Sequence, residues 1–258
     1  MNKKTIVITG STRGIGYGLA EKLLEMGHQV VMNGTTEAGV ARRIEALKEK
    51  GFELIGVAGD ITKESYVQSI ISAAVESFGK IDIWINNAGI PQSQKYFHEL
   101  DDEEIESLNS VNITASMKAT KAAILYFREQ GYGKIFNMEG FGSDGRIMEK
   151  LTLYGTSKRA INYFTKSVSR ELKGEGIQIG ILSPGMVRTD FLTGAMSTGT
   201  PEEQAKNKKV FDILAEDVDV VTEFLANRIL ASTKQYDRIE FLTKRRLIPK
   251  IMKLMFVK

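Results

Sequence analysis

The chain alternates short, β-branched apolar runs with longer stretches in which apolar residues recur every three or four positions. "TIVITG" (5–10), "QVVMNG" (29–34), "ELIGVAGD" (53–60), "IDIWINNAG" (81–89), "KIFNM" (134–138) and "IQIGILSPG" (177–185) have nearly continuous apolar faces. That pattern predicts strands covered on both sides. "GYGLAEKLLEMG" and "SYVQSIISAAVESFG" carry the helical period, and each closes on a glycine suited to a C-terminal cap. Repeated strand–helix units predict an α/β fold with a doubly wound parallel sheet and helices on both faces. "RIEFL" (238–242) is a candidate edge strand. No linker, repeat or low-complexity tract interrupts the pattern, so one domain is expected over residues 1–243, with a short tail over 244–258.

Length and charge fit this picture. A chain of 258 residues with 35 basic and 32 acidic side chains suits one large α/β domain and is too balanced to imply a nucleic-acid partner. There is no cysteine, which fits a reducing compartment, and a cytoplasmic protein is expected. His28 and His98 lack metal-ligand spacing, so no metal site is expected. The apolar run after the basic start, Ile6 to Ile8, is far too short for an export signal.

The first strand runs into "TGSTRGIG" (9–16). Strand, glycine-rich turn and helix start come in the order a Rossmann-type dinucleotide site needs. Gly10 suits the tight turn, and Gly14 and Gly16 let backbone approach a pyrophosphate at the helix N-terminus. Ser11, Arg13 and Ile15 complete that turn; its alternative is an ordinary βα connection. "GDI" (59–61) offers Asp60 and Ile61 at the end of the third strand, and "NNAG" offers Asn87, Ala88 and Gly89 at the end of the fourth. Ligands of doubly wound sheets sit at such strand ends. The second strand ends in Asn33 and Gly34, followed by Thr35 and Thr36, without the acid that reads NAD ribose hydroxyls. Arg13 can hold a 2′-phosphate, so NADP is expected rather than NAD; Arg42 and Arg43 read as a more distant, solvated helix face.

"YGTSK" (154–158) puts Tyr154 and Lys158 four apart on one helical face. A neighbouring ammonium, with an oxidised nicotinamide, is expected to lower the phenol's pKa so that it can exchange a proton with a carbonyl oxygen.

Taken in order, "TGSTRGIG", "NNAG", "VN" (111–112), "YGTSK" and "SPGMVRT" resemble the short-chain dehydrogenase/reductase family over most of the chain. The resemblance implies Tyr154 as acid/base, Lys158 as the residue that orients the nicotinamide ribose and tunes the tyrosine, and Asn112 as the holder of a water in the proton relay. It also implies that Pro184, Gly185, Val187 and Thr189 line the nicotinamide pocket, and that the protein is a homodimer or homotetramer.

Such sequences usually carry a serine just after the fifth strand. Here Glu139 and Gly140 fall on its positions, and Ser143, three residues on in a glycine-rich loop, is the nearest replacement hydroxyl. Ser143 either relocates that hydroxyl toward Tyr154 or only decorates the loop. Glu139 is unattractive there, because a carboxylate opposes a developing oxyanion unless protonated. "FNMEGFGSDGR", "YGTSKR", "LSPGMVRTD" and "ILAEDVDVV" are similar to plant chlorophyll b reductases, which reduce a formyl group to a hydroxymethyl group. That implies reduction of a lipophilic aldehyde or ketone. The alternatives are a 3-oxoacyl or sugar-type reductase of the same family, or a non-catalytic NADP-binding regulatory protein.

Residues 190–230 are expected to form a substrate lid, with Phe191, Leu192 and Met196 as apolar contacts or as core. The tail, "KRRLIPKIMKLMFVK", carries six basic residues and no acid. A short amphipathic helix from Lys250 would suit an anionic membrane surface, and packing on protein is the alternative; Pro249 is expected to interrupt a longer helix.

Overall fold

A computed structural model describes residues 2–190 and 201–256. Seven strands, β1 (Thr5–Ile8), β2 (Gln29–Gly34), β3 (Leu54–Ala58), β4 (Ile83–Asn86), β5 (Gly133–Met138), β6 (Ile177–Ser183) and β7 (Tyr236–Glu240), form one parallel sheet in the order β3-β2-β1-β4-β5-β6-β7. All six expected strands are present. The edge strand starts two residues before "RIEFL" and pairs in register with Ile179–Ser183.

Alternation along each strand explains why helices must cover both faces. Ile6 and Ile8 enter one apolar cluster and Val7 the other; Ile83 and Ile85 likewise oppose Trp84. The first cluster lies under α1 (Gly14–Glu25), α2 (Glu37–Lys48) and α8 (Val218–Ala231). The second lies under α3 (Glu64–Phe78), α5 (Ser116–Gln130) and α6 (Thr152–Glu171). The α3 helix ends on Gly79 at φ 79°, a left-handed cap that a side chain would strain.

The helix before α5 is not regular. α4 (Asp102–Asn109) passes into a π-helical turn, Ser110–Ala115, and only then into α5. Among the described residues the remaining α-helices are α7 (Pro201–Leu214) and α9 (Lys244–Phe256). Among the described residues no helix is long and apolar enough to cross a membrane.

Two expectations change here. Residues 218–230, expected in a lid, belong to the core helix α8: Val221, Leu225 and Ile229 recur every four positions and are fully buried. Gly18 on α1 allows the close approach, since a Cβ there would stand 2.8 Å from Val218. Phe191, Leu192 and Met196 lie outside the described residues. The tail helix starts at Lys244 and runs through Pro249. Pro249 is the sixth of its thirteen residues, so the helix forgoes one N–H bond close to its middle. Lys250 pairs with Glu216 at 2.6 Å, tying α9 to the segment after α7.

Candidate active site

Every strand points its carboxyl end at one rim, and the sequence motifs converge there. Thr9 joins two of them. Its hydroxyl accepts the backbone N–H groups of Asn87 and Ala88, each at 3.0 Å, while the Asn87 amide donates to the carbonyls of Thr9 and Gly10. The fit leaves no room for side chains. A Cβ on Gly10 would lie 2.8 Å from Ala88 Cα, and one on Gly16 would lie 2.4 Å from the Asn87 amide nitrogen. Asn87 therefore shapes the loop with its side chain. Ser11 is also turned inward: its buried hydroxyl donates to the Ile8 carbonyl and accepts from Asn33 N–H.

The start of α1 fits an anion. Arg13 is its N-cap, whose side chain makes no capping bond, and the first turn holds no acid. A glycine cradle at a helix N-terminus is what a pyrophosphate requires. Thr189 closes the opposite side, with its methyl 3.4 Å from where a Cβ on Gly14 would be. Pro184 and Val187 are buried beneath this wall, and Gly185 at φ 77° packs on Leu242. Ile61 is buried in the core, and Asp60 turns its carboxylate to Thr62, whose N–H and hydroxyl hold its pKa below the usual range.

At the end of β2 the Asn33 side chain points inward, accepting from Gly10 N–H and donating to Tyr66. Thr35 is exposed at the rim beside it. Arg43 stands apart from the solvated face expected of it. Its Nε donates to the Thr12 carbonyl at 3.0 Å and its guanidinium lies 4.7 Å from the Tyr17 ring, so a second cation is fixed against the glycine loop.

Tyr154 and Lys158 occupy the first two turns of α6. Lys158 is buried, its Nζ donating to the Met138 carbonyl at 3.2 Å and lying 5.6 Å from the Tyr154 ring centroid. Gln92, itself buried, accepts the Tyr154 N–H at 3.0 Å and fixes the start of the helix. Asn112 sits in the π-turn, its amide bonded to both the N–H and the carbonyl of Ile90 and reaching Ser157 at 3.4 Å. A Cβ on Gly89 would meet Asn112 at 3.2 Å and Lys158 Nζ at 3.7 Å, so the three converge. A buried amide ladder braces this corner, from Asn86 on β4 to Asn137 on β5 and on to Thr165 on α6.

Gly140 answers the sequence's puzzle in part. A Cβ at this position would fall 2.5 Å from the Tyr154 hydroxyl, so the phenol occupies the space that a side chain at 140 would need. Ser143 is buried close by, with its backbone N–H bonded to Gly140 and its carbonyl accepting from Arg159 on α6. Glu139 is buried too, but it is not an unpaired carboxylate. Its Oε1 accepts Arg238 Nη2 at 2.6 Å and its Oε2 accepts Asn162 Nδ2 at 2.9 Å.

The electrostatics differ from the expectation of an acidified phenol. Burial pushes the Tyr154 pKa above its ordinary value. Burial also lowers Lys158 to about 8, opposed in part by the carboxylate of Glu139. The ammonium donates to the Met138 carbonyl and lies 5.6 Å from the ring centroid, and desolvation sets the direction of both shifts.

A nucleotide cradle and a Tyr–Lys pair on one rim of a seven-stranded parallel sheet define a nicotinamide-binding oxidoreductase fold. Residues 4–198 match the model of the short chain dehydrogenase family, and the chain belongs to that family. It is 36% identical over 233 residues to chlorophyll(ide) b reductase NOL, chloroplastic, of Arabidopsis thaliana, covering 88% of this chain and 65% of that one. The resemblance to chlorophyll b reductases read from the sequence is thereby borne out, while the chain spans less than two thirds of that relative's length. Two solved structures superimpose with TM-scores of 0.80 at 26% identity and cover 92% of this chain. They are a 3-ketoacyl-(acyl-carrier-protein) reductase from Brucella melitensis complexed with NADH and an actinorhodin polyketide ketoreductase with NADPH, covered over 96% and 95% of their chains respectively.

Proposed function

We propose that this protein is an NADP(H)-dependent carbonyl reductase for a lipophilic aldehyde or ketone. The observation that carries it is the Tyr154–Lys158 pair, held at the rim that also bears the glycine cradle. Bound reduced nicotinamide would supply hydride to the carbonyl carbon. Gly10, Gly14, Ile15 and Gly16 would hold its pyrophosphate, and Thr189 and Lys158 its nicotinamide end.

The chain's own part is the proton. Burial keeps Tyr154 a phenol at neutral pH, so it can donate to the carbonyl oxygen. Lys158, at about 8, is mostly ammonium at pH 7 and opposes the charge left on the phenol as the proton departs. Asn112 fixes the Ile90 backbone opposite them, and Ser143 is the candidate hydroxyl to steady the substrate oxygen.

Arg13 and Arg43 beside an acid-free β2 end support NADP over NAD. Apolar side chains near the mouth support a lipophilic substrate. Tyr96 and Phe97 are exposed, as are Ile147 and Met148 on the loop after β5, and Lys150 over the Tyr96 ring joins the two loops. The similarity to a chlorophyll(ide) b reductase points the same way. Exposed Leu125 on α5 and Tyr163 on α6 support self-association, and the basic α9 helix supports peripheral membrane contact.

NADPH oxidation should be measured against a panel of apolar aldehydes and ketones. Tyr154→Phe should abolish turnover with NADPH affinity nearly intact; a variant that still turns over would remove this reading.

A further inference from the structure

The proton machinery rests on α6 and β5, yet a charge from the far edge of the sheet reaches it. Glu139 follows directly on Met138, whose carbonyl anchors Lys158. Its side chain is wholly buried, and Arg238 on β7 bonds Oε1 through both Nη2 and Nε, at 2.6 and 3.2 Å. Oε2 accepts from Asn162, one helical turn beyond Lys158 on the same face of α6. One carboxylate thus joins the edge strand, the end of β5 and the catalytic helix.

We infer that the Glu139–Arg238 ion pair positions and tunes the catalytic lysine, with Glu139 as the buried counter-charge to Lys158 and Arg238 limiting how much of that charge Lys158 feels. This rests on the reading of Tyr154 and Lys158 as the reacting pair. Burying a carboxylate costs stability unless it is paired and bonded, and a purely apolar contact would join these elements more cheaply. The direction of the Lys158 shift agrees: burial depresses its pKa and Glu139 raises it. The charged and titratable groups around the pair are Tyr154 and Lys158 on α6, Arg238, Tyr236 and Glu240 on β7, and Glu139 itself.

The two partners predict opposite effects. Glu139→Gln keeps the bond to Asn162 but removes the negative charge, so Lys158 should lose its proton at lower pH. Arg238→Met leaves the Glu139 charge uncompensated, so Lys158 should hold its proton to higher pH. Each shift should be on the order of one pH unit, the size a single close charge produces. Titration is read directly by NMR of protein labelled at lysine side-chain nitrogen, with Lys158 assigned as the resonance missing from Lys158→Met. The alkaline limb of NADPH oxidation with decanal should move in parallel.

Shifts of opposite sign establish the inference; unmoved titration, or shifts of the same sign, overturn it and leave the pair purely structural. Should Arg238→Met fail to fold because Glu139 is wholly enclosed, Glu139→Gln alone decides, since Arg238 keeps solvent and Glu240. Failure here leaves the loss of turnover in Tyr154→Phe intact, whereas active Tyr154→Phe would remove the function and not the titration.

Discussion

Replacing Gly140 by serine would put just after β5 the residue type that the family resemblance implies there, and the structure says it should impair the enzyme. A Cβ at 140 would lie 2.5 Å from the Tyr154 hydroxyl, while ordinary contact begins near 3.4 Å. The phenol must therefore retreat by about 0.9 Å, or the backbone must move, at a cost of roughly 1–3 kcal/mol for overpacking. A displacement near 1 Å at the reacting atom lowers rates by about a hundredfold. Steady-state NADPH oxidation with an apolar aldehyde gives kcat/KM, and tryptophan fluorescence gives NADPH affinity on the same sample. We expect Gly140→Ser to lose about a hundredfold in kcat/KM while NADPH affinity changes little, because the glycine cradle around Gly10 is separate. A variant with undiminished kcat/KM and an unchanged melting temperature would refute the placement of the phenol against residue 140.

Ser143→Ala should lower kcat by at least about tenfold if its hydroxyl steadies the substrate oxygen; an unchanged rate in the same assay shows that Ser143 only shapes the loop. Arg13→Ala and Arg43→Ala should each weaken NADPH by about tenfold or more, the scale of a charge-assisted bond, and NADH far less. Fluorescence titration with both cofactors decides, and equal losses would remove the phosphate-clamp assignment. Lys158 binds its proton less tightly folded than unfolded, so between about 8 and 10.5 the unfolded chain carries the extra proton and stability rises with pH. Denaturant melts should show that rise blunted by about 1–2 kcal/mol in Lys158→Met between pH 8 and 9.5, and an equal rise in both proteins would contradict the buried ammonium.

The sheet was legible because its strands are buried on both faces, which leaves continuous runs such as "TIVI" and "IWIN". The cofactor loop and the Tyr154–Lys158 spacing were legible for a related reason: their chemistry is local in sequence. Features that depend on distant partners were not. Glu139 looked unsuitable while its neutralising arginine lay 99 positions away. Arg43 read as a solvated face because nothing near it in sequence shows the Thr12 carbonyl it reaches. Gln92 gave no signal at all, being one amide in a loop until α6 arrives to be capped by it. The desolvation that dominates Tyr154 and Lys158 is likewise a property of the assembled rim, not of the pentapeptide "YGTSK".

The widened turn at Ser110–Ala115 has an evolutionary consequence. A π-turn carries one surplus residue within an otherwise regular helix, so deleting a single codon there would let α4 and α5 continue as one α-helix with their buried faces unrotated. The bulge that brings the Asn112 amide to Ile90 and Ser157 would vanish. Descendants of this gene therefore have a one-step path to a silent dinucleotide binder, and helix length at that point would distinguish such a descendant from a working enzyme.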